Sequence, residues 1–394
     1  MNHIKLRELI RKVDGNKNKQ LKDLPLLGIN IDKEFMPSVA NTIGTDMSNY
    51  QIVKKEQFAC NPMHLGRDER MPTALLLDKD EILVSPAYFV FEIIDKNVLL
   101  PEYLMLYFKQ TETDRLLWFK TDSSVRGGLG WNELCDIEIP VPDLNIQKDI
   151  IRHYNQISDA IKIKEKLNNN LEQQAQAIFK SWFVDFSHFE GNKPDFWVEG
   201  TIGDFVDIKR GGSPRPIQDY ISEDGLRWLK ISDATAIDAP FIFDIKEHIK
   251  ESGLRKTVYL KSGSLVLSNS ATPGIPRILS VDSCIHDGWL YFPKSKFSNE
   301  FLYLLFKNVR KSLVALGNGS IFTNLKTDIL KNFNTILPDS DTLKKFDIII
   351  KPYFTFMENN QREIRNLTNL RSALLPKLML ENSDSSSDKL SFNI

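Results

Sequence analysis

The chain reads as one unit written twice. Sliding the 394-residue sequence against itself by 196 positions sets Leu6-Arg7-Glu8-Leu9-Ile10 on Ile202-Gly203-Asp204-Phe205-Val206 and Pro142-Asp143 on Pro338-Asp339. The same shift sets Ser124 on Ser320, Leu129 on Leu325, Leu134 on Leu330, Asn170-Leu171 on Asn366-Leu367 and Ala177-Ile178 on Ala373-Leu374. A shift of 198 aligns Glu102-Tyr103-Leu104 with Glu300-Phe301-Leu302 and Phe108-Lys109 with Phe306-Lys307, so small insertions and deletions separate the copies. Each match is weak alone. Their order is kept along the whole half, which chance does badly. A period this long is not a solenoid; it describes a globular domain followed by a long helix, twice over.

The helical half of each copy is the plainer one. Ile146, Ile150, Tyr154, Ile157, Ile161, Leu167, Leu171, Ala175, Ile178 and Trp182 recur mostly at three- and four-residue steps. That spacing builds one apolar stripe along a helix. Gly and Pro are absent from Asp143 to Glu190. A helix from Asn145 to Phe183 is ~58 Å long at ~1.5 Å rise per residue. The second copy carries Leu343, Phe346, Ile350, Phe354, Met357, Ile364, Leu367, Leu374 and Leu378, with Pro352 expected to kink or restart it. Two long one-sided helices must bury their stripes. They pack on each other, antiparallel, or each packs on its own globular domain.

The globular parts look mixed. Strand-like runs at Glu81–Ser85, Phe89–Ile94, Ser264–Ser268 and Leu290–Pro293 are punctuated by Gly and Pro, and short amphipathic helices are expected at Pro101–Lys109 and Asn299–Lys311. The expected fold class is therefore α+β: two globular domains alternating with two long antiparallel coiled-coil helices, in a pseudo-twofold internal repeat. The expected bounds are 1–141, a helix at 142–190, 191–337 after a polar linker near Gly191–Trp197, a helix at 338–380, and a Ser/Asp-rich tail at 381–394 expected to be disordered.

Several functions are excluded by what the sequence lacks. No G-K-[ST] phosphate loop and no G-x-G-x-x-G dinucleotide loop occur. Asn61-Pro62-Met63-His64 lacks the second Pro and the aromatic that an adenine-methylating loop needs to grip its base. Pro194-Asp195 is followed by Glu199-Gly200-Thr201, without the Lys of a carboxylate–lysine nuclease, and no G-x-S-x-G elbow is present. The scattered histidines form no H-x-x-x-H pair, so no metal site is expected. Cys60, Cys135 and Cys284 are odd in number and far apart, which fits a reducing cytosol better than a disulfide framework. The N-terminus has no secretory pattern and no apolar run reaches membrane-spanning length. The net charge of −1 speaks mildly against nucleic-acid binding. A protein that reads DNA with local basic loops, and turns other faces to protein partners, can still be neutral.

The stretch Leu171-Glu-Gln-Gln-Ala-Gln-Ala-Ile-Phe-Lys-Ser-Trp-Phe-Val-Asp-Phe186 resembles the central conserved region of type I restriction–modification specificity subunits. Its core, Ala177-Ile-Phe-Lys-Ser-Trp-Phe-Val-Asp-Phe186, is a specific signal. Gly203-Asp204, Lys209-Arg-Gly-Gly-Ser-Pro214, Trp228-Leu-Lys-Ile-Ser-Asp233, Ser270-Ala-Thr-Pro-Gly274 and Gly319-Ser-Ile-Phe-Thr-Asn-Leu325 are similar to the family's second recognition half, and Leu370 to Leu378 to its distal helix. The first half lacks a clear Gly-Gly-Ser/Thr-Pro loop. The resemblance implies a non-catalytic chain with two target-recognition domains, each reading one half of a split double-stranded DNA site. It implies an antiparallel helical spacer that docks two modification (methyltransferase) subunits, with restriction/translocase subunits completing a nuclease. This chain would carry no cofactor; S-adenosylmethionine, ATP and Mg would belong to its partners. A pseudo-twofold protein also suits half-sites about one helical turn, ~34 Å, apart.

Candidate DNA-binding residues follow from Gly/Pro loops with cations or polar side chains. In the second domain they are Lys209, Arg210, Gly211, Gly212, Ser213 and Arg215; Ser270, Thr272 and Arg277; and Asn318, Ser320, Asn324 and Lys326. In the first they are Arg67, Arg70 and Arg126. A solvated turn would look the same in sequence, and Phe322 suits a core better than a wedge. Phe179, Trp182, Phe183 and Phe186, with Gln173, Gln174 and Lys180 as a polar rim, suit subunit docking. An aromatic cluster at helical spacing suits a buried core equally well.

Overall fold

The computed structural model describes residues 2–39, 44–63, 65–121, 128–317 and 324–381. Of the tail expected to be disordered, Glu381 ends the distal helix and 382–394 lie outside the described residues. The chain forms two compact units, Met1–Asp159 with Leu367–Ile394, and Ala160–Asn366. Each unit therefore takes a globular domain, part of the central helix Leu144–Phe183 and part of the distal helix Ser340–Glu381.

The repeat seen in sequence recurs as hydrogen-bonded register. In the first unit strand Asn2–Lys5 pairs antiparallel with Glu138–Val141, Asn2 opposite Val141. In the second, Val198–Thr201 pairs antiparallel with Asn334–Leu337, Val198 opposite Leu337. Both partners are displaced by the same 196 residues. A one-turn helix follows in each case, Leu6–Leu9 and Ile202–Phe205. It opens with a backbone bond at 2.9 Å, from Leu6 to the Ile137 carbonyl and from Ile202 to the Phe333 carbonyl.

The globular domains are α+β. The first has an antiparallel four-stranded sheet in the order Ile10–Lys12, Phe89–Ile93, Phe58–Cys60, Thr73–Leu75. The Phe58, Phe91 and Phe108 rings pack beneath it with helix Pro101–Phe108. The second has a five-stranded sheet in the order Val206–Arg210, Trp289–Ser295, Leu265–Ser268, Pro276–Leu279, Phe241–Ile242. A second five-stranded sheet runs Ile221–Ser222, His248–Ile249, Leu226–Leu229, Ser283–Ile285, Val258–Leu260. Helix Asn299–Gly317 runs longer than its sequence pattern indicated.

The two long helices pair antiparallel within each unit. In the first, Ile150 shares a core with Leu375 and Met379, and Arg371 lies over the Tyr154 ring at 5.6 Å. In the second, the Phe179 and Phe346 rings are 6.1 Å apart and join Phe301, Ile350 and Met357. Ile150 stands to Leu375 as Phe346 stands to Phe179, with the helices exchanged. The alternative in which each stripe packs only on its own domain is thereby set aside. The stripe is shared, since Glu172 also accepts from the Tyr303 hydroxyl at 2.7 Å and pairs with Lys307 at 2.8 Å.

Pro352 does not break the distal helix, which is helical from Ser340 to Glu381. The missing N–H frees the carbonyl of residue 348, four back. Ile348 and Pro352 are both exposed, so the proline falls on the solvent side of the helix, where a lost backbone bond costs least.

Candidate nucleic-acid interface

Three loops of the second globular domain hang on one turn, His286-Asp287-Gly288, which joins strands Ser283–Ile285 and Trp289–Ser295. The first loop leaves strand Val206–Arg210, where Arg210 pairs with Leu290. Gly211 donates to the Trp289 carbonyl at 2.9 Å and Gly212 to the Ile285 carbonyl at 3.3 Å. The second loop begins at Asn269, whose N–H meets the Gly288 carbonyl at 2.9 Å. The third follows at Leu325, whose N–H meets the Asn269 carbonyl at 2.8 Å. Residues far apart in sequence, Lys209–Arg215, Ser270–Thr272 and Asn324–Lys326, are thereby gathered on one surface.

The glycines of the first loop serve the protein's own backbone. A Cβ at Gly211 would collide with the His286 carbonyl oxygen, and one at Gly212 would lie 3.1 Å from the Lys256 carbonyl oxygen. Close approach is needed, as the sequence indicated, but between strands of this domain. A Cβ at Gly288 would press on the His286 ring and sit 2.6 Å from the Ser270 hydroxyl, so a side chain there would displace both.

Asp287 is the polar centre. Its carboxylate accepts from the Ser213 hydroxyl at 2.8 Å and from Arg215 at 3.4 Å. Its carbonyl accepts from Arg210 and, at 3.4 Å, from the Asn269 amide. Partial burial opposes ionisation, but the Ser213 hydrogen bond and the charges of Arg210, His286 and Arg215 outweigh it. The carboxyl is held below its ordinary range. Burial lowers the His286 pKa despite the neighbouring carboxylate, and its Nδ1 accepts the Gly288 N–H at 2.7 Å. Beside this turn opens a cleft of about 810 Å³ lined by Ser213, Arg215, Trp228, Lys230, Ser270 and His286, among others. Lys209, Arg210, Arg215, Asn324 and Lys326 are exposed, and Ser270 and Thr272 half-buried.

Arg277 does not belong to this surface. It is 5% exposed on strand Pro276–Leu279, every residue of which is buried. Its guanidinium donates to the Ala234 carbonyl at 3.0 and 3.2 Å and to the Ile237 carbonyl at 2.7 Å. A charge in that position survives only because it is hydrogen-bonded, and it is not free to meet a phosphate. In the first domain Arg70 is exposed, 4.0 Å from Asp32. Arg126, Asn318, Ser320 and Phe322 lie outside the described residues, as does the side chain of Arg67.

Sequence reasoning missed Asp287, His286 and Asn269, and named Trp228 only within the motif that resembles the family. Asp287-Gly288 between two apolar runs was the available signal, since such a dipeptide marks a tight turn between strands.

On the central helix the aromatic cluster divides. Phe179 is 1% and Trp182 7% exposed, so these two are core residues rather than docking contacts. Phe183 and Phe186 are partly buried, lining a cleft of about 690 Å³ with Val184, Phe301 and the edge of the 198–201 and 334–337 strand pair. Gln173, Gln174 and Lys180 are exposed. Among the described residues no group of His, Cys, Asp and Glu is placed to hold a metal, and no helix is long and apolar enough to cross a membrane.

The model of the family described as type I restriction modification DNA specificity domain matches residues 16–173 and again 194–369. The chain belongs to this family. As a specificity subunit it is a non-catalytic member of a type I restriction–modification system. It is similar to the type I restriction enzyme MjaIX specificity subunit of Methanocaldococcus jannaschii, 26% identical over 308 residues, covering 73% of this chain and 70% of that one. It is also similar to the HindI specificity subunit of Haemophilus influenzae, 24% identical over 378 residues, covering 77% and 81%. The fold matches the crystal structure of the type I restriction–modification system S subunit from M. genitalium, with a TM-score of 0.57 at 15% identity over 96% of each chain.

Proposed function

We propose that this specificity subunit reads a split, asymmetric duplex DNA target, one half-site with each globular domain. Its two long helices set the spacing and dock two modification subunits, to which restriction/translocase subunits add. Residues 1–141 and 191–337 would be the reading domains, 142–190 and 338–380 the spacer. S-adenosylmethionine, ATP and Mg would be held by the partners, and the assembly would work in the cytoplasm.

The observation that carries this reading is the repeated strand register, Asn2 on Val141 and Val198 on Leu337. One framework is used twice, while the sheets and loops it carries differ between the copies. A duplicated framework suits a two-part site, and unlike loops suit unlike half-sites. The gathered loops of the second domain add exposed cations for phosphates and polar side chains for base edges.

Modified-base sequencing of host DNA with and without this gene tests the reading. Loss of methyladenine at one split, asymmetric motif is expected. An unchanged methylome from a host whose modification subunit is expressed and active would exclude it.

A further inference from the structure

We infer that Asp287 is the positioning residue of the second domain's reading surface, fixing Arg215 and the Ser213 loop for sequence discrimination. The inference rests on the DNA-reading function proposed above and assigns a role within it. A carboxylate on a surface meant for polyanionic DNA repels its own ligand, so its presence calls for a compensating task. The geometry supplies one. The Asp287 carboxylate holds the first loop through Ser213 and Arg215, while its backbone carbonyl accepts from Arg210 and from Asn269 of the second loop. Leu325 then ties the third loop to Asn269.

Arg215 shows what is gained. Its side chain is 80% exposed, and its ion pair is with Asp287. Without that anchor a long arginine samples many rotamers and meets any phosphate in reach. With it, one guanidinium nitrogen is drawn to Asp287 at 3.4 Å before DNA arrives, which biases the side chain toward one region and lessens the freedom lost on binding. The same carboxylate weakens attraction for DNA that offers no matching contacts. Both effects raise the ratio of specific to non-specific binding, which is what a reading subunit must maximise.

The test uses the assembled methyltransferase complex with Asp287→Asn and Asp287→Ala, read by sequencing the methylated sites. Asparagine keeps an acceptor for Ser213 and removes the charge that holds Arg215. Methylation at sites mismatched in one half-site should rise by roughly tenfold over wild type, the scale of one relaxed base contact. The other half-site should stay strict and the unfolding temperature should match wild type. Alanine should relax the same half-site further. A strict wild type beside equally strict variants overturns the role of Asp287 alone. So does loss of both half-sites together with a fall in unfolding temperature, which marks a merely structural residue. A wild-type complex that methylates no split motif overturns the DNA-reading function, and this inference with it.

Discussion

Asn360 donates its side-chain amide to Asn168 Oδ1 at 3.0 Å, and Asn168 donates in turn to the Met357 carbonyl at 3.1 Å. Both residues are more than nine-tenths buried between the long helices. The 196-residue shift carries Asn168 to Ile364 and Asn360 to Lys164, so the pair has no counterpart in the other copy. A buried polar pair in a helical seam fixes register, because any slip leaves its amides unsatisfied. Asn168→Ala should destabilise the chain by about 1–3 kcal/mol, since it strands the Asn360 amide. Replacing both by leucine should be near neutral or stabilising in a denaturant titration. The double variant should then relax the spacing between half-sites that the complex methylates, and unchanged strictness would remove the register role.

Arg277 and Arg215 make a second contrast, since sequence alone gave both the same candidate role. Arg277→Met takes the donors away from the Ala234 and Ile237 carbonyls. It should lower stability by about 1–3 kcal/mol. The salt dependence of DNA binding should be that of wild type. Arg215→Ala should change stability by less than ~0.5 kcal/mol. It should cost about 1–3 kcal/mol of DNA affinity and relax discrimination in one half-site. Thermal unfolding, a salt series, and binding to matched and mismatched sites on the purified complex check both.

What separates these arginines marks where sequence reading stopped. The long helices were legible because a three- and four-residue apolar period survives in one dimension, and Ile150, Ala175, Phe346 and Ile350 all proved buried on it. The repeat was legible because strand pairing at both ends of each globular domain constrains the same positions twice. Arg277 was not legible, because strand Pro276–Leu279 is buried on both faces and has no alternation to mark an inward arginine. Phe179 and Phe183 share a helical stripe and both pack on Phe301 and Phe346, so only the depth of burial, which one dimension does not carry, separates the buried Phe179 from the half-buried Phe183. Asp287 escaped notice because a lone acid at a turn is ordinarily a solvated one; the partners of its carboxylate, Ser213 and Arg215, lie 74 and 72 residues away.

The division of the aromatic cluster gives a third expectation. Phe179→Ala opens a cavity against Phe301 and Phe346 and should cost about 3–5 kcal/mol. Gln173→Ala and Lys180→Ala, both at exposed positions, should stay within ~0.5 kcal/mol of wild type in unfolding. If the exposed face docks a modification subunit, the two polar variants should weaken co-purification with it while folding normally. Retention of the full complex by a Gln173→Ala/Lys180→Ala pair would move the docking surface elsewhere.

Acid should remove a contribution made by the Lys261–Asp282 turn. The Asp282 carboxylate accepts from Lys261 at 2.8 Å, from the Ser262 N–H at 2.8 Å and from the Tyr259 hydroxyl at 3.0 Å. The Lys261 hydrogen bond and the Ser262 N–H lower its pKa to about 2. A carboxyl lowered on folding stabilises the fold fully above its unfolded value, ~3.9, and loses that contribution as pH falls toward the folded value. The gap in unfolding temperature between wild type and Asp282→Asn should therefore be constant above about pH 5 and shrink between about pH 4 and 2. A gap independent of pH would show that the carboxylate charge contributes nothing.

Exchange of the first domain tests whether the two copies act independently. Residues 1–141 end on the Asn2–Lys5 and Glu138–Val141 strand pair, so a transplant between family members carries that pair and the sheet above it intact. Its packing on the long helices runs through residues such as Ile4, Leu6 and Leu134, which meet Ile150 and Leu375 in one core. A donor that keeps apolar residues there should fold on the recipient helices, because cores accept substitutions that conserve volume and pattern. The methylated motif should then change in one half-site, with the other half-site and the spacing unchanged. Change in both half-sites would mean that the copies read DNA jointly, despite a framework that each unit builds for itself.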